Sequence, residues 1–184
     1  MKLFISILVF LLLWIVCISQ MINLPVDNQL KILEKIIPFN KDFKPEQKEI
    51  NILVLYQNGF RTSQLIKNDI EKYQKVKRTE NNKINYVYYS FNDLDEFQKI
   101  IHKNKINIIY IAPLRAVDLN EILAVTKKNK IMSFTGVVEY MEFGVSVVLD
   151  IKGDKPEIII NRQSAKDEGV DFSSQLLKLA RIIE

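Results

Sequence analysis

Three loops hold the residues whose types could do binding chemistry. The first, Gln57-Asn58-Gly59-Phe60-Arg61-Thr62-Ser63, follows an apolar run, and Gly59 permits a tight turn. Thr62 and Ser63 put two hydroxyls at the start of the next helical pattern, where free backbone N–H groups favour an anion. Ala112-Pro113-Leu114-Arg115 and Phe134-Thr135-Gly136 close two further apolar runs. Asn58, Gly59, Thr62, Ser63, Arg115, Thr135 and Gly136 are therefore the candidate ligand-binding residues. The competing reading is that the hydroxyls cap helices and the Gly and Pro only turn the chain. The first loop lacks the Gly and Lys spacing of a Walker A motif, and its single Gly is not a dinucleotide fingerprint.

Bond-making chemistry has little to work with. His102 is the only histidine and Cys17 the only cysteine. No Ser–His–Asp set can be assembled, and any metal site would need carboxylates alone. Asp93, Asp95 and Glu96 fall in a helix first turn, where acids complement the dipole. Glu139 and Glu142 could form an acid pair, but a solvated face explains them as well. The expectation is no enzyme, no cofactor and no metal. The net charge of +4 is spread along the chain, which also argues against nucleic acid.

The elements that must position these loops follow from periodicity. With 184 residues, 48% hydrophobic and 26% charged, the chain is globular and large enough to bury a core. Residues 50–56, 84–89, 106–112 and 131–134 read as strands, the first and third apolar enough to be covered on both faces. Between them lie helical patterns over 62–74, 92–101 and 118–125, the last opened by Asp118 and the others by Thr62 and by Ser90 or Asn92. Alternation of this kind argues for βαβ units. Residues 145–151 and 157–161 flank Lys152-Gly153-Asp154 and read as an antiparallel hairpin. A short helix should stop at Gly169, and Ser173 or Asp171 should cap a last helix carrying Leu176, Leu177, Leu179, Ala180, Ile182 and Ile183. Before the domain, Asp27 can cap a helix with Leu30, Leu33, Ile36 and Ile37, ended by Pro38. Lys41 to Glu49 and Lys75 to Lys83 read as polar connections. The expected fold is a three-layer α/β domain: one mostly parallel sheet with an antiparallel edge hairpin, and helices on both faces.

The first twenty residues stand apart. Met1-Lys2, the apolar stretch Phe4 to Ile18 and the small residues Cys17 and Ser19 make a secretory signal pattern with a cut before Gln20. An uncleaved anchor extended by Met21, Ile22 and Leu24, and lipidation at Cys17, are the alternatives. All three put the rest of the chain outside the cytoplasm. The domain plan is 1–19 signal or anchor, 20–49 N-terminal helix and linker, and 50–184 α/β domain.

Tyr140, Met141 and Phe143 are large side chains in a segment too short to bury all of them, so they are candidate partner-contact residues, together with the apolar last helix. Core packing is the bland alternative.

Several stretches carry a family resemblance. They are Ile109-Tyr110-Ile111-Ala112-Pro113, Phe134-Thr135-Gly136-Val137, Phe143-Gly144 with the strand after it, and Glu157-Ile158-Ile159-Ile160-Asn161. The most specific is the series Asn161, Ala165, Gly169 and the tail Ser173-Ser174-Gln175-Leu176-Leu177-Lys178-Leu179-Ala180-Arg181-Ile182-Ile183. In these the chain resembles the YfiR-like family of exported bacterial proteins. The resemblance implies a periplasmic regulator that binds the outer domain of an inner-membrane diguanylate cyclase in cyclic-di-GMP signalling; the expected partner is such a cyclase or a membrane sensor, with a homodimer as a further state. It also implies a fold similar to one lobe of solute-binding proteins, which keeps a small-ligand module as the alternative. The chain lacks the cysteine pairs of some members, so redox-linked release does not carry over.

Overall fold

The computed structural model describes residues 24–43, 49–77 and 84–184. The signal or anchor reading of residues 1–19 lies outside them, as do parts of both polar connections. Seven strands form one sheet: β1 Ile50–Tyr56, β2 Ile84–Ser90, β3 Ile108–Ile111, β4 Met132–Thr135, β5 Val147–Lys152, β6 Lys155–Asn161 and β7 Arg181–Ile183. Their order is β2-β1-β3-β4-β5-β6-β7. Every neighbouring pair is parallel except the hairpin β5–β6.

Helices cover both faces, as the sequence leads one to expect. α2 (Arg61–Lys77) connects β1 to β2 on one face. α3 (Leu94–Lys103) and α4 (Leu119–Asn129) connect β2 to β3 and β3 to β4 on the other. That placement follows from right-handed crossovers, because the chain first steps outward from β1 and then back past it. The first face would be bare over β3 and β4. α1 (Val26–Ile36) fills the gap with buried Val26, Leu30, Leu33 and Ile36, joined by the short helices α5 (Arg162–Asp167) and α6 (Ser174–Leu177). Alternation along β1 explains its continuous apolar run: Ile52 and Val54 face α1 and α2, whereas Leu53 and Leu55 face α3 and α4.

Several local expectations are corrected. α2 continues to Lys77, so the polar connection after it is shorter than the sequence suggests. Asp27 lies inside the first turn of α1 and pairs with Lys31, while Pro25 holds the cap position. Asp93, not Ser90 or Asn92, caps α3 by accepting from the Glu96 N–H. The last helix ends after one turn at Leu177, and residues 181–183 become β7, parallel to β6. The apolar residues of this tail fit helical spacing, but two adjacent β-branched isoleucines pair better on a sheet than they continue a helix. The hairpin itself turns at Gly153, whose φ of 62° needs the conformational freedom of glycine.

Candidate functional site

The topological switch point, where a doubly wound sheet opens a crevice, lies between β1 and β3. Here the chain closes that crevice with its own groups. The Gln57 side chain crosses the gap, donating through Nε2 to the Arg115 carbonyl (3.0 Å) and accepting at Oε1 from the Arg115 N–H (2.8 Å). Buried Ser63 accepts at Oγ from the Gln57 N–H (2.9 Å), so it ties the loop to the start of α2 rather than facing solvent. Ser90 Oγ accepts from the Asn58 N–H (3.1 Å) and holds the same loop against β2.

The third predicted loop is sealed as well. Thr135 is buried; its hydroxyl donates to the Ile111 carbonyl (2.7 Å) and accepts from the Val137 N–H (3.1 Å). Gly136 packs against α1: a Cβ there would stand 2.3 Å from Gln29 Oε1. Gln29 is itself buried, donating to the Leu24 carbonyl (2.6 Å) and accepting from the Tyr110 hydroxyl (2.7 Å). Burial pushes the Tyr110 phenol well up, which keeps it a donor. Of the seven ligand candidates, Asn58, Gly59 and Arg115 are exposed, Thr62 is half-buried, and Ser63, Thr135 and Gly136 are buried. Ser63 and Thr135 thus tie loops internally, and Gly136 lies under Gln29.

The partner-contact candidates divide differently. Tyr140 is buried, with its hydroxyl accepting from the Leu114 N–H (2.7 Å), so it belongs to the core and not to a contact surface. Its ring meets Phe143 edge-on at 6.4 Å, and Phe143 keeps 45% of its surface exposed. Met141 is half-buried, with its sulfur 4.0 Å from Arg181 Nη2. Arg181 also donates through Nε to Glu157 Oε2 (3.0 Å). This contact seats the turn of residues 138–141 beside the start of β7, where Leu179 is 73% and Ile182 37% exposed. Met141 and Phe143 belong to the face of Leu53 and Leu55, whereas Ile182, paired with Ile160, turns to the opposite face at the β7 edge. The sequence reading missed β7; the only local hint is the Ile182–Ile183 pair. Of the acid pair, Glu142 is exposed and Glu139 half-buried. His102 is exposed at the end of α3. Among the described residues no cluster of three or more His, Cys, Asp or Glu could hold a metal ion, and no helix is long and apolar enough to cross a membrane.

Two hollows lie elsewhere. A groove of about 830 Å³ runs between α1 and α2, lined by Leu24, Val26, Leu65, Ile66, Tyr73 and Val76. A second, of about 660 Å³, lies beside α5 between Arg162, Lys166, Phe172 and Leu177.

The model of the YfiR/HmsC-like family matches residues 30–181. The chain belongs to that family. The match takes in most of α1, the strands β1 to β6 and both hydroxyl-bearing loops, and so covers the N-terminal half of the domain where the sequence motifs are sparse. No curated protein matches this YfiR/HmsC-like chain significantly. Among solved structures it is similar to a conserved domain protein from Vibrio cholerae O1 biovar eltor, at 16% identity and a TM-score of 0.58, over 87% of this chain and 60% of that one. It is also similar to an ABC domain in complex with L-Trp from Streptococcus pneumonia, at 13% identity and a TM-score of 0.60, over 86% and 62%. A third is a substrate-binding protein with adhesive properties from Clostridium difficile, at 17% identity and a TM-score of 0.57, over 88% and 60%. The chain spans about three-fifths of the length of these proteins, and the likeness is one of fold.

Proposed function

We propose that this chain is an exported, non-enzymatic regulator. It docks on the extracytoplasmic domain of an inner-membrane signalling protein, a diguanylate cyclase or a sensor kinase, and modulates that protein's output. Family membership supports a periplasmic regulatory role. The observation that carries docking as the mode of action is the exposed Phe143 beside Met141 on one face, together with the β7 edge strand, where Ile182 stays partly exposed. Large apolar side chains left in water favour a protein partner, because covering them removes apolar surface from water. A sheet edge adds unpaired backbone groups that a partner strand can satisfy. The second reading, a small-ligand module on the rim, is weaker, because Gln57 fills the crevice and three of its seven residues are buried.

The test is made in the native cell with the full chain carrying a C-terminal tag. Crosslinking should capture one inner-membrane signalling protein, and deletion of the chain should change cyclic-di-GMP or phosphorylation output. Phe143→Ser with Leu179→Asp should cut capture at least about tenfold, the loss of roughly 1.4 kcal/mol or more of binding. Retention of the chain in the cytoplasm, or unchanged output on deletion, would refute the reading.

A further inference from the structure

Glu168 follows α5 and is fully buried. Among the described residues it has no ion-pair partner; its contacts are hydroxyls and one backbone N–H. Ser133 reaches Glu168 Oε2 twice, through its N–H (2.8 Å) and through its hydroxyl (3.0 Å). Ser146 Oγ makes a short contact with the same oxygen. Thr126 Oγ1 stands 2.6 Å from Oε1.

Counting hydrogens decides the protonation state. Ser133 Oγ accepts from the Ser146 N–H (2.9 Å), which leaves its own hydrogen for Glu168. Ser146 likewise has its hydroxyl hydrogen to give. All three contacts to Oε2 are therefore supplied. Thr126 Oγ1 is different, because it also lies 2.8 Å from the Leu123 carbonyl oxygen. A hydroxyl carries one hydrogen. If Glu168 is ionised, Thr126 faces two acceptors with one hydrogen, and one close oxygen pair has nothing between its atoms. If Oε1 carries a proton, Glu168 donates to Thr126, Thr126 donates to Leu123, and every contact is filled.

We infer that Glu168 is held as a neutral carboxylic acid and works as a proton-dependent latch between α5, α4, β4 and the start of β5. Charged groups on the packed elements do not contradict this. Lys127, on α4, sits 4.0 Å from the Asp167 carboxylate. Lys130, just beyond α4, donates to the Asp167 carbonyl (2.7 Å). Lys166 and Arg162 on α5 are exposed. Burial pushes the Glu168 carboxyl up, opposed by the bonds from Ser146, Thr126 and Ser133. Raising the pH removes the proton, leaves an uncompensated buried charge and loosens α5 from its seat. Downstream of α5 lie α6 and β7. The inference stands whether or not β7 docks a partner.

A folded-state titration above the unfolded one gives stability that is complete in acid and is lost as pH rises. Melting of the full chain and of Glu168→Gln, compared from about pH 5 to about pH 8, tests the latch. Gln can donate to Thr126 and accept from both serines without carrying a charge. The wild type should lose roughly 3–5 °C per pH unit relative to the variant until Glu168 ionises. A difference that is flat, or that favours the wild type as pH rises, overturns the inference. Infrared spectroscopy of the chain labelled with 13C-glutamate, with Glu168 kept, decides independently of how Glu168→Gln folds. The label is read in a Glu139→Gln background, because Glu139 Oε2 is also buried without a hydrogen-bond partner; the remaining described glutamates are exposed or half-buried. A carboxylic-acid C=O band at about pH 7 that bleaches in base is expected, and its absence overturns the inference.

Discussion

The rim at the carboxyl ends of β1, β3 and β4 and the edge at β7 exchange the roles their residues suggest. The rim collects amides, hydroxyls, glycines and an arginine, the usual materials of a binding site. Yet Gln57 bonds across the crevice to Arg115, Ser63 to Gln57 and Thr135 to Ile111, and Gln29 packs against Gly136. The β7 edge leaves Leu179 and Ile182 partly in water, and the turn beside it leaves Phe143, although these are the materials of a core. Polar residues near a crevice mark a site only when their hydrogen-bonding capacity remains unused, and apolar residues mark a core only when something covers them.

The comparison can be broken most forcefully at Gly136. Gly136→Ala drives a methyl into Gln29 and should cost about 2–3 kcal/mol in urea unfolding. A cost under about 1 kcal/mol would mean that α1 yields easily and the rim is less sealed than its contacts imply. Gln57→Ala removes the two bonds that cross the crevice and should cost about 1 kcal/mol. The same variant sharpens the contrast: if small anions shift its melting but not that of the wild type, the crevice is a plugged site rather than a structural seam. The smallest effect belongs to the edge. Leu179→Asp should leave unfolding within about 0.5 kcal/mol, because the side chain is mostly in solvent. A larger loss would show that Leu179 packs in the monomer and is not free to meet a partner.

Much of the architecture was legible because its signals are local. The apolar runs of β1 and β3 announce two-sided burial, and Gly153 announces the hairpin. Asp118 and Ser173 cap the helices that follow them, as their positions suggest. What stayed hidden depends on distant partners. Ser63 and Thr135 look alike whether they wait for a ligand or hold a backbone. Tyr140 looked like a contact residue because the Leu114 N–H that it meets lies 26 residues away. β7 hid inside a pattern with helical spacing, since the β6 strand it joins is not visible in the tail itself. Glu168 drew no notice because its buried hydroxyl partners lie 22 to 42 residues before it.

One further consequence follows from how the two ends of the domain are fastened. The Lys41 N–H donates to the Asp171 carbonyl (2.9 Å), the Ser173 N–H donates to the Phe39 carbonyl (2.9 Å), and Asn40 bridges to Phe172. An element that leaves the ribosome early is thus clasped by one that leaves almost last. Such long-separation contacts form late and slow the ordering of a chain. During synthesis the early helix lacks its clasp until residue 173 has been made.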